Sequence, residues 1–187
     1  MFLRYKDALL KEIHLIGDYY KERNITSIYF GGGTPSLMIE ELNDIIIALK
    51  EVFNISCDIG IELHPRDVTK DLAKKLKDLG FTMVSIGIQS FQQKELITLG
   101  REFIDSDEKV TILKNVNFKV IDVDLIFRIL GQSIEDLKKD FITAFKNGAT
   151  QVSTYPFIDF SYANNKNKPL GYKEKKVLLN SLETLRN

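Results

Sequence analysis

Hydrophobic positions recur along the chain with two periods, one typical of helices and the other of strands. In residues 2–23, Leu9, Ile13 and Ile16 lie on one side of the pattern, which predicts an amphipathic first helix. Runs rich in β-branched and aromatic residues predict five strands, at residues 25–30, 58–63, 81–88, 118–127 and 150–155. Further helical patterns cover residues 37–52, 69–79, 92–99, 106–115 and 133–147.

Residues that favour helix ends support these boundaries. Thr69 can cap the start of the third predicted helix, and Gly80 can end it. Ser133 precedes the helix at residues 133–147, with Asp136 placed as in a capping box, and Gly148 follows that helix.

The spacing of the strands predicts the fold class. They begin near residues 26, 58, 82, 118 and 150, with helical patterns in the intervals. Such spacing is typical of βα units joined by right-handed crossovers, so we predict an α/β fold with a parallel sheet. Residues 82–88 show little polar–apolar alternation, which suits strands buried on both faces. Five βα units fit either an open doubly wound sheet or part of a barrel.

The composition is that of a globular protein without overall charge. Of the 187 residues, 44% are hydrophobic, and 26 basic residues balance 26 acidic ones. This balance gives no electrostatic reason to expect binding to nucleic acid or to an acidic membrane. No apolar run approaches the roughly 20 residues of a membrane helix. Cys57 is the single cysteine, so no internal disulfide can form, and we expect a cytoplasmic protein.

Polar or glycine-rich residues lie at the carboxyl end of every predicted strand. In chain order they are residues 31–36, Glu62 with His64, Gln89 with Ser90, Asp124, and Tyr155. Because the carboxyl ends of parallel strands share one edge of the sheet, ligands of α/β folds bind there. Glu62 and Asp124 also lie within apolar strands, where an unpaired carboxylate is costly. The sequence therefore predicts a polar site at this rim.

Three consecutive glycines, Gly31 to Gly33, follow the first predicted strand. They permit backbone angles that other residues resist and let a ligand approach the main chain closely. Phosphate is one possible ligand, but the run matches neither GxGxxG nor a P-loop, and no lysine follows it. A dinucleotide or nucleoside triphosphate is therefore disfavoured. A ligand with an ammonium group suits the nearby carbonyl and carboxylate oxygens better.

Five segments carry motifs in a specific order. Residues 29–36 contain GGGTP, residues 61–65 end a strand as Glu-x-x-Pro, and residues 85–91 contain GxQSF. Residues 99–101 read Leu-Gly-Arg, and residues 122–132 are similar to a DLI-x-GLPGQ strand and turn. Together they resemble radical S-adenosylmethionine (SAM) enzymes of the oxygen-independent coproporphyrinogen III oxidase and heme chaperone family.

The resemblance implies a fold and a domain organisation. Residues 1–160 would form a partial parallel (β/α) barrel of the radical SAM type, with about five βα units and the first strand missing. Residues 161–187 would form a linker, polar at residues 163–171, and the start of a C-terminal region with a helix at residues 173–185.

The resemblance also implies the ligand and the residues that bind it. The SAM contacts would be the residues at the family's motif positions: Gly32, Gly33, Thr34, Glu62, Gln89, Arg101 and Asp124. Arg101 could pair with a carboxylate of the ligand, and relatives can hold a second SAM there. The family's reaction is the SAM-dependent oxidative decarboxylation of a porphyrinogen in heme biosynthesis. It begins at a [4Fe–4S] cluster held by three cysteines in CxxxCxxC.

The chain departs from the family in several ways. It contains no CxxxCxxC, and its two histidines, His14 and His64, cannot replace three thiolates. We therefore expect no metal ligand among its residues and no activity from this chain alone. We also expect a fragment without the cluster loop, in which residues 25–30 form an exposed edge. Such an edge predicts poor solubility, a dimer, or dependence on a separate chain that carries the missing strand. Arg128 replaces a small residue of the family.

Three functions remain open from the sequence. The first is that of the parent enzyme, with a porphyrinogen as the small-molecule substrate. The second is a non-catalytic module or chaperone fragment that binds SAM or heme, with His64 or Tyr155 as the axial heme ligand. The third is an inert or partner-dependent remnant. The sequence identifies no catalytic residue and no nucleic-acid or membrane partner.

Overall fold

The computed structural model describes residues 2–20, 23–158, 176, 177 and 180. Within the first two ranges, helices and strands alternate in the predicted order. The predicted linker at residues 163–171 lies outside the described residues, as does most of the predicted helix at residues 173–185. The described positions in that helix, residues 176, 177 and 180, are helical.

A parallel five-stranded sheet forms the centre of the structure. The described residues form seven strands, five of which make up this sheet. They are β1 (Asn24–Ile25), β2 (Ile28–Phe30), β3 (Asn54–Ile55), β4 (Ile59–Leu63), β5 (Met83–Gln89), β6 (Val120–Phe127) and β7 (Gln151–Pro156). The large sheet has the spatial order β2-β4-β5-β6-β7, and all of its neighbouring strands are parallel. The two short strands β1 and β3 pair separately, also in parallel.

Helices connect the strands. Among residues 2–158 they are α1 (Phe2–Tyr20), α2 (Ile39–Val52), α3 (Lys70–Asp78), α4 (Gln93–Thr98), α5 (Ser106–Val116) and α6 (Ile134–Asn147). Helix α1 packs against α2, α3 against α5, and α5 against α6. A doubly wound sheet reverses its strand order at a switch point, whereas the order here follows the chain throughout. Of the two architectures that the hydrophobic pattern left open, the structure is the partial barrel.

The two faces of the sheet differ in polarity. Along β6, buried Ile121, Val123 and Leu125 alternate with half-buried Asp122 and Asp124. The apolar side belongs to the main hydrophobic core, together with residues of α2, α3 and α5. The prediction of strands buried on both faces is confirmed in the middle of β5, where three successive residues are buried. β6 differs from β5, because its polar side faces an open cleft.

Three predicted elements have wrong boundaries. The single strand predicted at residues 25–30 is divided into β1 and β2, because β1 pairs with β3 in its own short ladder. The first helix does not extend to residue 23, since Arg23 is not helical. A 3-10 turn, Pro35–Met38, precedes α2, so this helix begins later than predicted.

The predicted N-caps are confirmed. The Thr69 hydroxyl accepts a hydrogen bond from the N–H of Leu72 at 3.1 Å. Ser133 and Asp136 form a reciprocal capping box at the start of α6, and Gly148 ends this helix with φ of +114°. Of the helices that the structure describes, none has both the length and the apolar character to cross a membrane.

Candidate functional site

The polar face of the sheet forms the floor of an open cleft of about 680 Å³. Its polar lining includes Tyr29, Glu62, Ser85, Gln89, Asp122 and Asp124. Three of these side chains are carboxylates, and no lysine or arginine of the described residues lines the cleft. The cleft therefore favours a ligand that is cationic or donates hydrogen bonds.

Glu62 connects β4 to the glycine loop that follows β2. The main-chain N–H of Gly32 donates a hydrogen bond to Oε2 of Glu62 at 3.0 Å. Gly32 and Gly33 have φ of +80° and +65°, in the left-handed region that favours glycine. A Cβ at either position would meet no atom within 4 Å. The backbone conformation therefore requires glycine, and the space beside the loop is open to a ligand.

Asp124 lies in the middle of the cleft. The hydroxyl of Ser85 donates to its Oδ2 at 2.6 Å. Burial raises the pKa of Asp124 despite this hydrogen bond, and the negative charges of Asp122 and Glu62 add to the rise. Burial also raises the pKa of the Tyr29 phenol, which the same carboxylates surround. A positive group in the cleft would relieve this repulsion.

Asp122 is a cleft residue that the sequence analysis missed. Its Oδ2 accepts hydrogen bonds from the Ser153 hydroxyl at 2.7 Å and from the Gln151 amide at 3.0 Å. Its Oδ1 is buried and has no partner among the described residues. The sequence contained a signal for Asp122. It precedes Asp124 by two residues in an apolar strand, and side chains with this spacing lie on the same face of a strand.

Gln89 and Arg101 line a smaller pocket of about 210 Å³ that adjoins the cleft, and Gln89 lines both. Gln89 has φ of +72°, which is uncommon for a residue with a side chain. In the same pocket, Arg66 forms an ion pair with Glu102. Arg101 has no ion-pair partner among the described residues, so its guanidinium is available to an anionic group.

His64 also lines this pocket. Its Nδ1 accepts a hydrogen bond from the main-chain N–H of Arg66 at 3.2 Å. This contact leaves Nε2 as the nitrogen that can meet a ligand.

Thr34 lies apart from the carboxylates. With Gly32 it lines a third cavity, of about 370 Å³, between the glycine loop and apolar side chains such as Phe2 and Leu9 of α1. The structure therefore brings Glu62, Gln89 and Asp124 into one cleft and joins Gly32 to it through Glu62. Arg101 lines the pocket that shares Gln89 with the cleft, Thr34 lines the separate third cavity, and Gly33 lies in the glycine loop.

Arg128 follows the carboxyl end of β6. Its φ is +69°, and its Nε is buried without a partner among the described residues. The left-handed conformation explains why glycine suits this position better than arginine.

The described residues contain no group of three or more histidine, cysteine, aspartate or glutamate side chains suited to a metal ion. Cys57 lies between β3 and β4, at the amino end of β4. It is therefore at the opposite end of the sheet from the glycine loop and the rim residues.

Known proteins resemble this chain in sequence and in fold. The family model described as "Radical SAM superfamily" matches residues 3–142. The heme chaperone HemW of Lactococcus lactis is 27% identical over 159 residues, which cover 82% of this chain and 41% of that protein. The oxygen-independent coproporphyrinogen III oxidase of Salmonella typhimurium is 29% identical over 139 residues, 71% of this chain and 30% of that protein. The chain thus spans less than half the length of these relatives.

The fold has a solved counterpart in the coproporphyrinogen III oxidase HemN from Escherichia coli. The two superpose with a TM-score of 0.86 at 22% identity, over 98% of this chain and 45% of that chain. The family match covers most of the chain and includes the glycine loop and all of the predicted SAM contacts, from Gly32 to Asp124. This chain belongs to the radical SAM superfamily, in the group of the oxygen-independent coproporphyrinogen III oxidases and HemW.

Proposed function

We propose that this chain is the SAM-binding core of a protein related to oxygen-independent coproporphyrinogen III oxidase. The observation that carries the proposal is the hydrogen bond from Gly32 to Glu62, at the edge of the cleft that contains Asp124. It joins a glycine loop to a carboxylate at the end of a parallel sheet where ligands of such folds bind.

The groups around the cleft suit the chemistry of SAM, which carries an ammonium, a carboxylate, a sulfonium and ribose hydroxyls. Glu62 and Asp124 would accept hydrogen bonds from the ammonium or the hydroxyls. The guanidinium of Arg101, which has no ion-pair partner in the part of the chain that the structure describes, would bind the carboxylate. The glycine loop, with Gly33 and Thr34, would contact the methionine end, and Gln89 would lie between the two parts of the site.

The residues present do not fit the [4Fe–4S] cluster that supplies the electron for SAM cleavage in this family. Such a cluster needs three thiolates, and this chain has one cysteine, remote from the rim. We therefore propose that the chain alone does not catalyse the reaction. Anaerobic iron–sulfur reconstitution tests this: a bound [4Fe–4S] cluster with SAM cleavage by this chain alone would refute it.

For the whole protein, we propose a porphyrinogen as substrate, as the name of the Salmonella relative indicates. A second candidate is heme binding, as named for HemW. Tyr155 favours it, because this side chain is 57% exposed and lines the cleft. A heme titration should then shift the heme absorption band in the wild-type chain and in His64→Ala but not in Tyr155→Phe. No shift in the wild-type chain would exclude heme binding.

The exposed edge of the sheet suggests a partner. Among the described strands, β2 has β4 as its single neighbour in the large sheet, and open edges invite pairing. We propose that a second copy or a separate chain covers β2, and a stable monomer in size-exclusion chromatography would count against this. We also propose residues 1–160 as the core domain, residues 161–187 as a linker and C-terminal region, and a cytoplasmic location.

Calorimetric titration tests the principal proposal. SAM should bind in a saturable manner, and 5′-methylthioadenosine should bind more weakly because it lacks the ammonium and carboxylate that Glu62 and Arg101 would contact. Absence of SAM binding by the folded chain, or equal binding of both compounds, would contradict the assignment.

A further inference from the structure

A buried polar cluster lies behind the rim, outside the cleft. Ser90 follows β5, Glu95 lies on α4 and Asp140 on α6, and their exposed fractions are 0%, 1% and 0%. Lys94, the nearby cation, pairs directly with Asp136 at 2.5 Å and interacts with the two carboxyls only at longer range. Two buried carboxyls without a counter-ion are costly when both are ionised.

The hydroxyl of Ser90 lies between the two carboxyls. Its Oγ is 2.8 Å from Oε2 of Glu95 and 2.8 Å from Oδ2 of Asp140, and it accepts a hydrogen bond from the N–H of Gln92 at 2.9 Å. A hydroxyl has one proton, so it can donate to one carboxyl at a time. The other contact requires a donor on the carboxyl itself, and a carboxyl donates only when protonated.

The surrounding hydrogen bonds indicate which carboxyl holds the proton. Oδ1 of Asp140 accepts from the main-chain N–H of Phe91 and from the Gln92 amide, both at 3.0 Å, and these donors stabilise a negative charge. Oε2 of Glu95 accepts from Gln132 at 2.9 Å, but its Oε1 has no partner among the described residues. A neutral carboxyl tolerates an unpaired oxygen better than a carboxylate does.

The electrostatic environment agrees with this assignment. Burial raises the pKa of Glu95 to about 6, and the charges of Asp140 and Asp136 add to the rise. Burial also raises the pKa of Asp140, opposed by its hydrogen bonds. The proton therefore belongs on Glu95, and the charge on Asp140.

We propose that Glu95 and Asp140 share one proton through Ser90, and that this protonated triad positions Gln89 and Arg101 at the rim. The roles of Gln89 and Arg101 as ligand contacts rest on the proposed SAM site, whereas the shared proton does not.

The triad fixes the segment between these two rim residues. Gln89 immediately precedes Ser90, and α4, which carries Glu95, ends next to Arg101. The main-chain N–H of Arg101 donates to the carbonyl of Leu96 at 2.8 Å, so its position follows that of α4. Loss of the proton would leave two negative charges around one hydroxyl and would loosen the segment from α6.

Asp140→Asn is the most informative variant. Its amide nitrogen can donate to Ser90 while its oxygen still accepts from Phe91 and Gln92, so every hydrogen bond forms without the extra proton. A group with a raised pKa loses its stabilising contribution as the pH rises through that pKa. Between pH 5 and 8 we therefore expect the unfolding temperature to fall more in the wild-type chain than in the variant. At pH 8 the variant should unfold about 2–4 °C higher.

An exposed carboxyl provides the matched control. Asp18 lies on the surface of α1, so Asp18→Asn should follow the pH profile of the wild-type chain. Equal profiles for the wild-type chain and Asp140→Asn would overturn the shared proton.

Infrared spectroscopy observes the proton directly. With ¹³C-labelled glutamate, the C=O stretch of a protonated carboxyl should disappear as the pH rises through about 6. Exposed glutamates still contribute near pH 5, so the Glu95 band is the part of this signal that Glu95→Gln lacks, and it should disappear at a lower pH in Asp140→Asn. Exposed glutamates are almost fully ionised at pH 6, so if the wild-type spectrum shows no protonated glutamate at that pH, the proposal fails, whether or not the variants fold.

Hydrogen exchange and SAM titration test the positioning role separately. After correction for intrinsic rates, the amides of Phe91 and Gln92 should exchange about tenfold faster at pH 8 than at pH 5 in the wild-type chain, with little change in Asp140→Asn. SAM affinity should fall with pH in the wild-type chain and less in the variant. If neither protein binds SAM, the proposed function fails while the exchange data still test the proton. If both bind with one pH profile, the positioning role fails.

Discussion

Ser85 on β5 donates a hydrogen bond to Asp124 on β6, with 2.6 Å between Oγ and Oδ2. This contact does not compensate for burial, which raises the pKa of Asp124. Compared with the unfolded chain, the folded chain therefore shifts Asp124 toward its neutral form. Its contribution to stability is present at acid pH and is lost as the pH rises through the folded pKa. A carboxylate that opposes folding at neutral pH is typical of a binding site.

The first prediction concerns the trade-off at Asp124. Asp124→Asn keeps an acceptor for Ser85 and removes the charge, so we expect a higher free energy of unfolding at pH 7 and SAM binding weakened about tenfold. The gain in stability should shrink at pH 4, because the wild-type carboxyl is then closer to neutral. Urea unfolding at both pH values and calorimetry measure the two effects. Lower stability of the variant at pH 7 would contradict the argument, and Asp18→Asn is the exposed control.

The second prediction separates two roles of Glu62. Glu62→Gln keeps an oxygen that can accept from Gly32, whereas Glu62→Ala removes both the acceptor and the charge. We expect SAM affinity to fall in the order wild type, Gln, Ala, with a loss of about tenfold or more for Ala. Glu51→Ala, an exposed change on α2, should leave the affinity unchanged. Equal affinities for the wild-type chain and Glu62→Ala in a calorimetric titration would remove Glu62 from the site.

Sequence patterns predicted the parallel order and the rim because both follow from local signals. Glycines after β2, Ser133 before α6 and polar residues at strand ends each have a short-range physical cause. Alternation in β6 was also visible in the sequence, yet Asp122 was missed because Asp124 alone was taken from this strand as a site residue. The division of residues 25–30 depends on pairing between β1 and β3, which lie about 30 residues apart in the chain.

The buried triad shows what sequence alone could not predict. Ser90 and Glu95 are close in sequence, but Asp140 reaches Ser90 from a helix 50 residues later. Whether these carboxyls contact each other through one hydroxyl depends on the packing of α6 against the end of β5. No propensity or motif spacing specifies such a contact.

The third prediction concerns backbone strain at Arg128, whose φ is +69°. Arg128→Gly and Arg128→Ala both remove the guanidinium, so their difference reports the left-handed conformation. We expect the glycine variant to be more stable by about 1 kcal/mol in urea unfolding. At exposed Lys139 in α6, the order should reverse, with alanine more stable than glycine by about 1 kcal/mol. If alanine is more stable than glycine at residue 128 as well as at residue 139, Arg128 is not strained.

The fourth prediction concerns the capping box of α6, where Asp136 is 7% exposed. Its Oδ2 accepts hydrogen bonds from Lys94 at 2.5 Å and from the Ser133 hydroxyl at 2.6 Å. Both contacts lower the pKa of Asp136, which falls to about 2, and the hydrogen bond from Lys94 has the larger effect. A carboxyl whose pKa is lowered by folding stabilises the folded chain at pH values above its unfolded pKa, near about 3.9. This contribution is lost as the pH falls toward about 2.

Asp136→Asn should therefore be less stable than the wild-type chain by about 1 kcal/mol at pH 6, and this difference should decrease steadily below pH 4. Lys94→Gln removes the larger cause of the shift, so in that background the decrease should begin at a higher pH. Urea unfolding from pH 6 to 2.5 measures both. If the wild-type chain and Asp136→Asn differ by the same free energy at every pH, the carboxylate charge plays no part, and the helix start depends on Ser133 alone.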